Sequence, residues 1–215
     1  MTRKLDFIIL GNKSVGKTKL TKVLTKNKSL ALNPTSEFNK YTGSKVKLLS
    51  SRKSSIFTRE RWRKYKVQIV DTPGSFAERR SWREAFKKTK KPVAVVFVIN
   101  PYQPIPETKS ALEEVYNQYL ESISNNIEKA DIIASSTAFL LLIVINLFDS
   151  KGRIDETVYF DTNLKEIISK MRIKIPLMLV DHVSFDFNKK PMDKFGYNSV
   201  LERIKRFRYD QKKIH

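Results

Sequence analysis

Residues 11–18 read GNKSVGKT and stand directly after the apolar run LDFIIL, Leu5–Leu10. Glycine is first and sixth, lysine seventh and threonine eighth, which is the spacing of a phosphate-binding loop. Such a loop needs backbone N–H groups converging on phosphate oxygens, with no Cβ where the chain passes closest. Gly11 and Gly16 supply that freedom, and Asn12, Lys13, Ser14 and Val15 supply the backbone between them. Lys17 can then reach the β and γ phosphates of a nucleotide, and the Thr18 hydroxyl can ligate Mg²⁺. A helix opening at Lys17 turns its positive end towards the same charge. The alternative is a strand–turn–helix that carries two glycines by chance, and the strand before and helix after do not by themselves exclude it.

Around this stretch the chain has 215 residues, 40% of them hydrophobic, enough for one α/β domain with a buried core. There is no cysteine, so disulfides, thiolate catalysis and cysteine zinc sites are excluded, and a cytoplasmic address fits. Met1–Leu10 lacks the apolar core of a signal peptide, and Thr2 does not fit the N-myristoylation pattern. The most apolar stretch, Ala138–Leu147, falls short of the about 20 residues of a membrane span. Lys and Arg number 42 against 22 Asp and Glu, a net charge of +20. A field of that sign attracts polyanions, whether RNA or an acidic membrane surface, although a lysine-rich composition gives the same charge with no such partner.

Strand signals recur at Leu5–Leu10, Lys45–Leu49, Val67–Val70, Val93–Ile99, Phe139–Ile145 and Leu177–Val180. Helix-period stretches lie at Lys17–Thr25, Trp82–Lys88, Lys109–Asn125, Asn163–Met171 and Ser199–Arg208. Buried runs alternating with helices predict a mostly parallel sheet with helices on both faces, in one domain over residues 1–215. The second and third runs have no helix between them and predict an antiparallel hairpin at one edge. At its tip falls a basic insertion, residues 50–66, SSRKSSIFTRERWRKYK, with seven Lys and Arg and one acid. Within it Trp62 sits among Arg59, Arg61, Arg63 and Lys64, a combination suited to stacking plus phosphate contact or to a tip that packs one aromatic back. Phe185–Gly196 reads as a loop.

Two further motifs follow strands. Asp71-Thr72-Pro73-Gly74 ends the Val67–Val70 run, where an aspartate faces a metal from a strand's C-terminal end. Gly74 can bring its N–H against a γ-phosphate. Three of the chain's six glycines, Gly11, Gly16 and Gly74, stand at these points. Asn146-Leu147-Phe148-Asp149 follows the most apolar strand. There Asp149 can accept from both N1–H and the N2 amino group of guanine, a donor pair adenine lacks, while a plain turn is the other reading of Asn and Asp.

Together these residues resemble the small Ras-like GTPases, with the ADP-ribosylation-factor branch nearest. Pro34-Thr35-Ser36-Glu37-Phe38-Asn39 is similar to that branch's first switch, and DTPGSFAERRSWREAFKKT, Asp71–Thr89, to its second. The resemblance implies a six-stranded mixed sheet, binding of GTP or GDP with Mg²⁺, and two nucleotide-sensitive loops. Thr35 would join Mg²⁺ through its hydroxyl and the γ-phosphate through its N–H, making Thr18, Thr35 and Asp71 the metal residues. It further implies a catalytic set of Lys17, Thr35 and Gly74, with Ser75 at the position of the family's water-orienting glutamine. Leu147 replaces the lysine that covers the base, and Lys13 stands where relatives often have glycine. His182-Val183-Ser184 is a weak counterpart of the last guanine loop, in which Val183 offers its N–H. The branch's amphipathic N-terminal helix has no counterpart before Leu5. A GTP-binding switch with slow or partner-assisted hydrolysis is the expectation. A GTP-bound scaffold without turnover, a nucleic-acid- or ribosome-associated GTPase and an ATP-using relative are the alternatives. His182 and His215 have no metal-ligand spacing, and Trp82 with Phe86, four apart, reads as core.

Overall fold

The computed structural model describes residues 3–26, 39–53, 58–89, 93–123, 137–147, 155–187 and 194–214. Its strands are β1 (Arg3–Gly11), β2 (Asn39–Lys53), β3 (Thr58–Asp71), β4 (Val93–Ile99), β5 (Phe139–Asn146) and β6 (Met178–Phe185). The helices among the described residues are α1 (Lys17–Thr25), α2 (Trp82–Lys88), α3 (Ile105–Ile123), α4 (Glu156–Asn163), α5 (Lys165–Lys174) and α6 (Lys194–Ile214), with a 3-10 turn at Phe76–Ser81. The six strands form one sheet in the order β2-β3-β1-β4-β5-β6. All neighbours are parallel except β2 and β3, the edge hairpin.

Every residue of β4 and of β5 is buried. Strands covered on both faces need no polar alternation, which is why VAVVFVI and FLLLIVIN are apolar throughout. Alternate side chains feed two cores. Val95, Phe97, Leu141 and Ile143 join Trp82, Phe86, Leu112, Tyr119 and Ile168 on the face of α2, α3 and α5. Phe7, Val96, Leu142 and Val144 join Leu20, Leu24, Val200 and Ile204 on the face of α1 and α6. The first core centres on an aromatic group in which Phe139 meets Tyr119 edge-on at 4.9 Å and Phe86 at 6.4 Å.

Several boundaries differ from expectation. The Asp155 carboxylate accepts from the Thr157 and Val158 amides at 2.9 and 3.0 Å and starts α4, which has no counterpart in the sequence reading. Only Tyr159 and Phe160 in its middle reach the core, so the helical period is faint. The hairpin strands are far longer than the apolar runs that marked them. Residues 50–53 and 58–66 pair within β2 and β3, from Ser50 opposite Arg61 to Lys53 opposite Thr58, so most of the basic insertion forms the arms and not the tip. Backbone pairing between strands needs no hydrophobic side chain, and a polar two-stranded arm therefore leaves no apolar trace. β6 continues through Phe185 and α6 opens at Lys194, which shortens the supposed 185–196 loop from both ends.

Phe139→Ala should lower stability by about 3–5 kcal/mol, because it leaves a cavity among rings that cannot close on it. Chemical denaturation measures this, and a loss below about 1 kcal/mol would contradict the packing described.

Candidate functional site

The site lies at the C-terminal ends of β1, β3 and β5, where loops leave neighbouring parallel strands. Ile9 of β1 stands opposite Asp71 of β3, and the Thr72 hydroxyl donates to the Ile9 carbonyl at 2.8 Å. The loops 11–16 and 72–74 are thereby held side by side.

Gly16 caps α1 with φ 102°, a left-handed conformation that side chains disfavour. A Cβ there would also come 2.8 Å from the Phe187 ring and 3.1 Å from the Asn146 amide nitrogen. Asn146 uses both ends of its amide. Its Nδ2 donates to the Val15 carbonyl at 3.0 Å, and its Oδ1 accepts from the Phe187 amide at 3.3 Å. The asparagine after β5 thus ties the 11–16 loop to the segment after β6.

At the other end, Lys17 is buried and its Nζ donates to the Asn12 carbonyl at 2.6 Å. A Cβ on residue 74 would meet that Nζ at 2.3 Å and the Asn12 oxygen at 2.5 Å, so only glycine lets this turn cross the lysine. Burial lowers the Lys17 ammonium to about 8, with the Asp71 charge opposing. Burial pushes the Asp71 carboxyl up to about 6, against the pull of Lys17 and of the nearby Thr18 and Thr21 hydroxyls and Thr72 amide. Even so, neither oxygen of Asp71 meets a donor in hydrogen-bond geometry. Two buried, unpaired carboxylate oxygens beside a threonine hydroxyl form a hard-oxygen set that fits Mg²⁺. Ser14 in this loop also has positive φ, 63°.

The segment after Gly74 folds back onto the loop. Ser75 donates its hydroxyl to the Glu78 carboxylate. Arg79 is buried between the rings of Phe76 and Trp82, 5.2 and 5.8 Å from their centroids, and its Nη2 donates to Asn12 Oδ1 at 2.8 Å. Trp82 Nε1 donates to the Pro73 carbonyl at 2.8 Å. A cleft of about 630 Å³ opens here, lined by Asn12, Lys13, Gly74, Ser75, Arg79 and Gln103 among others.

Gly11, Asn12, Lys13, Ser14, Val15, Gly16, Lys17, Thr18, Asp71, Gly74, Ser75 and Asn146 therefore stand around one region. Thr35 and Asp149 lie outside the described residues. Val183 pairs with Val144 inside β6, and the strand runs on until Phe185 faces Asn146. The loop after β6 begins at Asp186, and Phe187 in it meets Asn146 and Gly16. Leu147 packs against the core on the α2–α5 side. His182 stacks on Phe160 at 5.1 Å. Among the described residues no His, Cys, Asp and Glu cluster could hold a metal by itself, and no helix is long and apolar enough to cross a membrane. Phe187, Arg79 and Gln103 escaped the sequence reading as site residues, since each acts through a contact distant in sequence.

A phosphate loop after β1 and an aspartate–glycine turn after β3, in this strand order, define a P-loop nucleotide-binding fold. The family described as "50S ribosome-binding GTPase" matches residues 6–134, and the chain belongs to that GTPase family. The fold is similar to the signal recognition particle receptor in the SRb-GTP/SRX complex from Chaetomium thermophilum, with a TM-score of 0.60, 15% identity, and 94% of this chain and 99% of that one covered. It is also similar to the Arl6 BBS3 small GTPase from Trypanosoma brucei with the bound nucleotide analogue GppNp, with a TM-score of 0.51, 13% identity, and 94% and 98% covered. No curated protein matches the sequence. The chain is a guanine-nucleotide-binding protein of that GTPase family, and its fold is that of the small GTPases.

Asp71→Asn tests the electrostatics. A carboxyl raised from 3.8 to about 6 favours folding while protonated, and that contribution is lost as pH rises from about 4 to about 6. The variant should flatten this slope and gain about 1–3 kcal/mol near pH 7.5 without Mg²⁺. Its Mg²⁺-dependent nucleotide affinity should fall at least about tenfold. An unchanged slope between pH 4 and 6 would contradict the uncompensated burial of Asp71.

Proposed function

We infer that the protein is a cytoplasmic, single-domain switch that binds GTP with Mg²⁺ and returns slowly, or with a partner's help, to the GDP state. Gly11–Thr18 would cradle the phosphates, and Thr18, Thr35 and Asp71 would hold the metal. Gly74 would sense the γ-phosphate, and Asn146 and Asp149 would select guanine. The observation that carries this reading is the meeting of Lys17, Gly74 and the unpaired Asp71 carboxylate at two adjacent strand ends. A buried ammonium at this point has no role in the core, but it suits the charge on the β and γ phosphates. Mg²⁺ would neutralise developing charge there. Ser75 is turned to Glu78 and is too short to orient water, which supports a low intrinsic rate over rapid turnover. The scaffold alternative, which never turns GTP over, is separated from the switch by single-turnover hydrolysis with and without cell extract.

The test is competition of GTP, XTP and ATP against a fluorescent guanine nucleotide. Wild type should prefer GTP to ATP at least about a hundredfold, because a site built on buried hydrogen bonds leaves polar groups unpaired with the wrong base. Asp149→Asn should shift preference towards XTP, and Lys17→Ala should bind none while its circular dichroism is unchanged. Equal competition by ATP would make Asn146 and Asp149 mere turn residues.

The shape of the edge hairpin favours a second reading, a nucleic-acid contact. Among the described residues, β1 pairs with β3 only from Tyr65 onward, so Thr58–Lys64 pair with β2 alone as a two-stranded arm. Arg59, Arg61, Arg63 and Lys64 stand on this arm, whose form suits a groove or a phosphate backbone. Neutralising these four should weaken RNA binding and flatten its salt dependence by about 3–4 counterions. Unchanged RNA binding, or equal loss on acidic vesicles alone, would move the contact away from nucleic acid.

A further inference from the structure

The geometry points to a hydrolytic pair in the cleft beside Gly74, in which Gln103 orients the attacking water and Arg79 supplies positive charge to the γ-phosphate. This rests on the GTP reading above and goes beyond it by naming residues other than Ser75, which stands at the water-orienting position.

Gln103 follows β4, far in sequence from Ser75, yet both line the same cleft. Its Nε2 donates to the Lys13 carbonyl at 2.8 Å, which fixes the amide against the phosphate loop. The other end of that amide, Oε1, is buried and has no hydrogen-bond partner. A buried acceptor left unpaired is unfavourable unless something binds it, and a positioned water is the smallest group that does. Ser75, with its hydroxyl given to Glu78, leaves this task open.

Arg79 complements it. Arg79 is 6% exposed, and its guanidinium carbon lies over the rings of Phe76 and Trp82 with one nitrogen on Asn12 Oδ1. Its Nε and Nη1 are buried without partners. It makes no ion pair among the described residues, and it lies close enough to Lys17 to disfavour the lysine's charge. Glu107 and Glu114 act on the arginine, and Asp71 and Glu78 on the lysine, without an ion pair to either cation among the described residues, and an anion held between the two cations would stabilise them together. The sequence of Lys17, Arg79 and Gln103 around Asn12–Lys13 thus offers two positive groups and one acceptor to a single polyphosphate.

In hydrolysis the water oxygen bonds to the γ-phosphorus, and the bond from that phosphorus to the β–γ bridging oxygen breaks. The electron pair leaves with GDP. Gln103 Oε1 accepts a hydrogen bond from the water and holds it in line without taking a proton. The water's proton passes to the phosphate oxygens, giving inorganic phosphate and, at neutral pH, a proton released to solvent. Arg79 donates to oxygens on which charge develops.

The test uses the full chain as wild type, Gln103→Met and Arg79→Lys. Affinities for GDP and GppNHp come first, then single-turnover GTP hydrolysis, then GDP retention with Mg²⁺ and aluminium fluoride as a transition-state mimic. Gln103→Met should keep ground-state affinities within about threefold, and Arg79→Lys, which keeps the charge but not the fork, within about tenfold; at saturating GTP both should lose at least about tenfold in hydrolysis and lose the added retention that aluminium fluoride gives wild type. Gln103 lies in a surface loop, so its variant reports even where a change at buried Arg79 disturbs folding. Variants that hydrolyse at the wild-type rate, or a wild type no faster than GTP in buffer, overturn the pair. Either result leaves the switch reading standing if GTP still binds, whereas a wild type that binds no GTP ends that reading itself.

Discussion

The turn at Gly74 passes so close over Lys17 that a single methyl group there would collide with the ammonium, and the site depends on this approach. It is possible because β1 and β3 are adjacent and parallel, with Ile9 opposite Asp71, so their C-terminal loops leave the sheet at the same level. The cost is two buried charged groups, each shifted towards its neutral form. The sheet can sustain that cost because β4 and β5 are buried throughout and packed from both faces. Instability is thus concentrated where a polyanion and a cation would relieve it.

The two ends of the site are built differently. On the β5–β6 side, Asn146 bridges Val15 and Phe187, and the Phe187 ring stands on Gly16, so three loops are locked through one amide and one ring. The phosphate end is bounded by the Ser75–Arg79 segment, which reaches the phosphate loop through Arg79 on Asn12 and is anchored behind by Trp82 on Pro73. A change in the charge beside Asn12 and Lys17 would act directly on Arg79. Through Trp82 and Phe86 it would reach the core shared by α2 and α3.

Legibility in the sequence followed the kind of force involved. Strands β4 and β5 and helices α1 and α2 were readable almost to the residue, because hydrophobic runs and periodicity mark burial directly. The loop at 11–18 and the turn at 71–74 were readable because backbone geometry there demands glycine. The arms of the β2–β3 hairpin were not, since polar strands pair through their backbones. The end of β6 was hidden for a related reason: this half-exposed edge strand, with Asp181, His182 and Ser184, looks like a loop, and its end is set by pairing with β5. Gln103 carries no local signal, since its partner Lys13 is 90 residues away, and the contact of Arg79 with Asn12 spans 67.

The central claim is that this fold holds a guanine nucleotide between the Asn146 latch and the Lys17–Gly74 crossing. Releasing the nucleotide from freshly purified protein and identifying it by chromatography and mass spectrometry tests that claim most directly. The expected result is GDP or GTP, lost on chelation of Mg²⁺ and restored by adding guanine nucleotide with the metal. An adenine nucleotide, or none even after loading with Mg²⁺ and GTP, would contradict it.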